Sequence, residues 1–148
     1  MSITLDYQSV DPVPEPTAAL MIRHAVQLVD EHDWWAEPIS LDLRQRDRRL
    51  QGSTRIRLGG YGLVEVPRDE EALMVCRDTR FVVSSLARWS SKYGISWTLS
   101  EIGTDIGSIV GGKPDEKLAR YIAGLCTNLK LPASAEADVL KKHEARKY

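Results

Sequence analysis

The hydrophobic period of the chain changes at Glu37-Pro38, and that change limits it to folds that combine helices with a sheet. Before it, "TAALMIRHAVQLVDEH" sets Leu20, Ala25, Leu28 and Val29 at helical spacing, with Met21 and Ile22 widening the stripe, so a helix is expected from about Thr17 to the "HDWW" stretch. After it, Ile39, Leu41 and Leu43 alternate with Ser40, Asp42 and Arg44, the mark of a half-buried strand. "LQGST" offers a turn around Gly52 and "TRIRL" alternates again, so residues 39 to 58 read as a β-hairpin.

The same reasoning carries along the chain. "SITLDY" reads as a short edge strand ahead of Pro12, Pro14 and Pro16, and "LVEV" as a strand stopped by Pro67. The short apolar run Ala72 to Cys76 suits a buried strand, while "DEEALM" would equally start a helix, and period cannot decide at this length; the strand is the reading taken. A helix capped by Asp78 or Thr79 then carries Phe81, Val82, Leu86, Trp89 and Tyr93 on one face and stops at Gly94. Ile95, Trp97 and Leu99 resume alternation, "IGTD" turns, and a last helix runs from Pro114 to about Leu129. Hairpin-linked strands imply a mainly antiparallel sheet. The expected fold is therefore α+β, with about four to six strands packed by two or three helices. One domain over residues 1–131 is expected, followed by a polar tail or peripheral helix over 132–148, because 148 residues suffice for one good core and not two.

Charge and leader features narrow the function classes. A formal net charge of -1 gives no global reason to bind nucleic acid or an anionic membrane. "MSITLDYQSVDPVPEP" has no basic n-region or apolar run, so no secretory signal is expected, and no stretch is long and apolar enough to span a membrane. Cys76 and Cys126 stand in no metal-binding or CxxC spacing and read as buried thiols, which makes cytoplasmic the expected address.

One stretch resembles a catalytic motif and fails on its chemistry. "GSIVGGKP", Gly107 to Pro114, is G-x-x-x-x-G-K with proline where a phosphate loop needs a hydroxyl for magnesium. Ile109 and Val110 suit a strand, and Asp115 and Glu116 occupy the helix start where a phosphate would sit. No nucleotide cofactor is expected. His24 and His32 are about 80° apart around one helix and cannot share a metal by themselves, so no metal is expected. No elbow surrounds Ser84-Ser85 or Ser90-Ser91, and no base is placed beside Cys76.

What remains points to binding. Arg44, Arg46 and Arg48 on one strand, with Arg55 and Arg57 on its partner, would project up to five guanidinium groups from one sheet face, suited to an acidic protein surface. Trp34 and Trp35 end the first helix about 100° apart, so one is expected in the core and the other at an interface, a second copy of the chain being one candidate. The expected function is a non-enzymatic cytoplasmic interaction module of the inhibitor, immunity or adaptor type, binding a protein partner through these residues. Two alternatives stay open: nucleic-acid binding by the Arg44–Arg57 face, and a small enzyme whose site only the fold assembles.

Overall fold

The computed structural model describes the backbone of residues 2–57 and 68–127, and the side chains of residues 4–55 and 73–125. The strand expected over 63–66, the polar tail, the end of the last helix, His143 and the side chains of Arg57 and Cys126 lie outside these described residues. In chain order the elements are β1 (Ser2–Ser9), α1 (Glu15–Glu31), β2 (Asp42–Leu43), β3 (Leu50–Arg57), α2 (Arg68–Tyr93), β4 (Trp97–Glu101), β5 (Thr104–Val110), β6 (Lys113–Pro114) and α3 (Glu116–Thr127). All strand pairs are antiparallel, and the spatial order is β2-β3-β1-β4-β5-β6. The expected α+β class with an antiparallel sheet is what forms.

The pleat sorts the residues of every strand. Leu5, Tyr7 and Ser9 of β1, Leu50 and Thr54 of β3, Trp97 and Leu99 of β4, and Ile109 of β5 point to one side and are buried. Ala18, Met21 and Ala25 of α1, Val75, Val82, Val83, Leu86 and Trp89 of α2, and Leu118 of α3 join them in one core. Burying each large side chain is worth about 1.5–3 kcal/mol, so this layer of helices on sheet holds the chain together.

Several expectations are corrected. β1 is a central strand, not an edge: it pairs with β3 on one side and β4 on the other. Gly52 makes no turn, for it lies within β3 opposite Tyr7. A Cβ there would stand 1.9 Å from the Ser40 carbonyl oxygen and 2.4 Å from the Tyr7 ring, so the glycine is required by close approach. The real turn lies at residues 45–47, closed by the Arg48 N–H donating to the Arg44 carbonyl at 2.7 Å. Residues 68–77 are helix, not strand: α2 runs unbroken through Asp78, which therefore caps nothing. The stripe on α1 is also rotated from the one expected. Met21 is fully buried, whereas Leu20 is 49% and Val29 40% exposed.

The Gly107–Pro114 stretch is a strand end, a Gly111-Gly112 turn and a two-residue strand. The helix begins after Pro114 rather than on it, with the Asp115 carboxylate accepting from the Leu118 N–H at 2.8 Å as its cap. The Gly112 N–H donates to Ser90 Oγ of α2 at 3.0 Å, so the turn is tied to the helix layer.

Candidate functional site

The other side of the sheet is the candidate surface, since the described helices pack against the opposite face. Alternation that sends Leu5 and Tyr7 inward sends Asp6 and Gln8 outward, and the registers extend these into rows across the strands. Asp6 stands between Ser53 and Ser100, and Gln8 between Gln51 and Thr98; the outer ends of the rows are Asp42 opposite Gln51, Asp105 opposite Ser100 and Ser108 opposite Thr98. No described helix covers this face. These residues line a concave cleft of about 830 Å³, bounded at one end by Ser40 and Leu41 and at the other by Gly103. The cleft offers carboxylates, amides and hydroxyls. Its Tyr7, Leu41 and Leu99 have their side chains buried in the core.

The walls are fixed by hydrogen bonds from the core side. Tyr7 Oη lies 3.2 Å from Thr54 Oγ1 and accepts from the Ser40 N–H at 3.0 Å, while the Glu37 N–H donates to the Arg55 carbonyl at 3.0 Å. The segment leading into β2 is thereby laid along β3. Burial pushes the Tyr7 phenol above its ordinary value, so it serves as a neutral, structural group. At the far side Asp105 receives Lys117 Nζ at 2.9 Å and the Gly107 N–H at 3.1 Å. The lysine, followed by that N–H, holds the Asp105 carboxyl below its ordinary range, so it is a charged group at neutral pH.

The rim carries a residue that is unusual twice over. The tight turn between β4 and β5 is Ile102-Gly103, with φ of 49° and 80°. Both positions are left-handed, as a two-residue hairpin turn of this kind requires, and a β-branched side chain is the costliest choice there. Ile102 is also 69% exposed, the largest fraction among the exposed large hydrophobics of the described residues.

Trp34 and Trp35 are placed differently from expectation, since each is only 8% exposed. No tryptophan of the pair is left out for an interface. The reason is that they follow α1 rather than ending it, and the loop wraps onto α2 around one buried carboxylate. Asp78 Oδ2 accepts from the N–H groups of Trp35 at 2.9 Å and Ala36 at 2.7 Å. Its Oδ1 meets His32 Nε2 at 2.8 Å and Arg77 Nη2 at 3.1 Å. The His32 ring stacks on Phe81 at 3.9 Å and meets Trp34 edge-on at 4.6 Å. Asp78 thus has its oxygens occupied by the loop it anchors.

The arginines do not stand side by side on a paired hairpin. Arg44, Arg46 and Arg48 belong to the turn region that joins β2 to β3, and Arg55 stands near the opposite end of β3, about 17 Å along the strand. Asp47 holds Arg44 by two hydrogen bonds, of 2.8 and 2.6 Å, and this pairing draws the Asp47 carboxyl down to about 2. Shortening of β2 to two residues is what moves the three arginines off the strand. Cys76 is corrected as well, being disulfide-bonded rather than a thiol.

Several cleft residues, Asp6, Asp42 and Thr98 among them, are the polar partners of residues that alternate into the core, whereas Gln51, Ser53 and Asp105 lie in stretches whose sequence reads as turns. Comparison of the chain with protein-family models, with curated proteins and with solved structures finds no match in any of the three.

Proposed function

We propose that the protein is a non-catalytic binding module that recognises another protein through the open face of its sheet. The observation that carries this reading is the concave polar cleft of about 830 Å³ on the face opposite the helices, with its walls held by core-side hydrogen bonds. A surface rich in donors and acceptors, with hydrogen-bonded walls, suits a polar protein interface. The expected interaction class is kept, and its surface is moved from the arginines and tryptophans to the sheet.

An assembled catalytic site is the second reading that such a cleft invites. Against it, strand spacing sets Asp6, Asp42 and Asp105 about 10 Å or more from one another, and Asp105 is held ionised by Lys117, which unfits it as a general acid. The nucleic-acid reading loses its continuous arginine face. The cytoplasmic address loses its thiol argument, because disulfides such as that at Cys76 are rare in reducing compartments, and it forms no part of the proposal. No described helix is long and apolar enough to cross a membrane.

The reading is tested by capturing partners with wild type and with a Ser53→Arg/Thr98→Arg variant that fills the cleft, compared by quantitative mass spectrometry. A partner held by wild type should fall roughly tenfold or more with the filled cleft and persist with Lys92→Glu, on the helix side. Retention by the filled variant, or loss on reversing Arg44 and Arg46 instead, would move the interface elsewhere.

A further inference from the structure

Resting on the sheet-face reading, we infer that the occupant of the cleft is an extended, basic segment of another protein, whose cations meet Asp42, Asp6 and Asp105 and whose apolar residue covers Ile102. The described lining is one-sided in charge: it holds three carboxylates and no lysine or arginine. Arg55 stands on the same face beyond Ser53, outside the lining. Lys117 reaches Asp105 from α3, but this pair is 60% and 65% exposed at its two side chains, the kind of surface ion pair that an incoming guanidinium exchanges at little cost.

The spacing selects the form of the cation. Asp6 and Asp105 lie in one row two strand steps apart, about 10 Å. Asp42 lies two strand steps from β1 and one residue pair along it, about 12 Å from Asp6. The carboxylates therefore form a line of about 20 Å running across the strands. A polyproline II-like extended chain has three residues per turn and rises about 3.1 Å per residue, so basic residues at every third position share one face about 9 Å apart and match that line, whereas three adjacent arginines face three directions within about 6 Å of chain. Because the aromatic and aliphatic residues of the described lining, Tyr7, Leu41 and Leu99, are almost wholly buried, affinity there comes mainly from charge and hydrogen bonds, with strong salt dependence.

Ile102 supplies the apolar contact that the cleft lacks. Ser100 and Gly103, on either side of it, both line the cleft, so it sits on the rim at the Asp105 end. Asparagine before Gly103 would satisfy the turn without strain, and a polar residue would suit the exposure. An isoleucine that is left-handed at φ 49° and 69% exposed does neither in the free protein, and a contact that covers it gives both departures a use.

The experiment measures fluorescence anisotropy of a labelled peptide Arg-Gly-Gly-Arg-Gly-Gly-Arg-Gly-Leu at low salt. Saturable binding is expected, weakened roughly five- to tenfold by Asp6→Asn/Asp42→Asn, whose amides keep the shape and the Asp42 acceptor for the Leu43 N–H. Ile102→Asn should weaken binding while raising the melting temperature, an opposed pair of changes that a merely structural residue would not give. The inference is overturned if the peptide does not bind, if the Asn variants bind it unchanged, if a peptide with three consecutive arginines binds equally well, or if spermine at the same concentration displaces it. Failure of the peptide while the filled cleft still loses its captured partner would sink the basic occupant alone. Failure of both would sink the sheet-face reading with it.

Discussion

Tyr7 and Gly52 show how a single cross-strand pair shapes the cleft from beneath. The ring of Tyr7 lies over the site where Gly52 lacks a side chain, and the Ser40 carbonyl fills the remaining space. Gly52→Ala should therefore cost about 2–3 kcal/mol, because backbone must move to admit a methyl group; a urea midpoint unchanged from wild type would show that the segment yields freely. Tyr7 also gives the protein an alkaline limit. Its folded-state pKa is raised by burial, and that of Tyr121 is raised by burial and then by Glu101, so both phenols prefer to stay neutral in the fold. Their contribution is complete below the unfolded value near 10 and is lost as pH rises through the folded values. Tyr7→Phe should cost about 1–2 kcal/mol at neutral pH through the lost Ser40 bond, and should flatten the decline of stability above about pH 10. Urea midpoints taken across that range read both effects, and a slope identical to wild type would remove Tyr7 from the account.

At the scale of elements, α2 is the piece that sequence reasoning divided wrongly, and the cause is instructive. Val75, Thr79, Val82, Leu86 and Trp89 already continue one helical stripe, and all are buried. Cutting the chain at Asp78 hid that continuity, because a charged residue beside a threonine reads as a cap when its true partners are far away in sequence. Those partners, His32 and the backbone of Trp35 and Ala36, could not be inferred from local pattern. Removing the carboxylate should be costly: Asp78→Ala leaves two buried N–H groups, His32 and Arg77 without it, and about 3–5 kcal/mol is expected. Equilibrium unfolding followed by tryptophan fluorescence tests this. A loss under about 1 kcal/mol would mean that the loop stands on its tryptophans alone. The turn at Ile102-Gly103 and the cap at Asp115 were nearer to legible, since glycine after a polar-apolar alternation and an acid before a helix carry their own local reasons.

For the molecule as a whole, the two-layer α+β arrangement was readable because both periods are present and hairpins force antiparallel pairing. Which strands lie side by side was not readable, since period two fixes a face and says nothing of neighbours. The same gap explains the site: the arginines look continuous in the sequence and are divided by register, whereas Asp42, Asp6 and Asp105 look scattered and are brought into line across the sheet.

The central place of β1 has a further consequence. Each of its residues waits for partners that lie much later in the chain, Gln8 for both Gln51 and Thr98, so the sheet cannot close until β4 has emerged and found it. Such long-range pairing makes folding slow relative to the helices, and a nascent chain would hold β1 with both of its edges unpaired while α1 and α2 form. The candidate surface is thus complete only once β4 and β5 have joined β1.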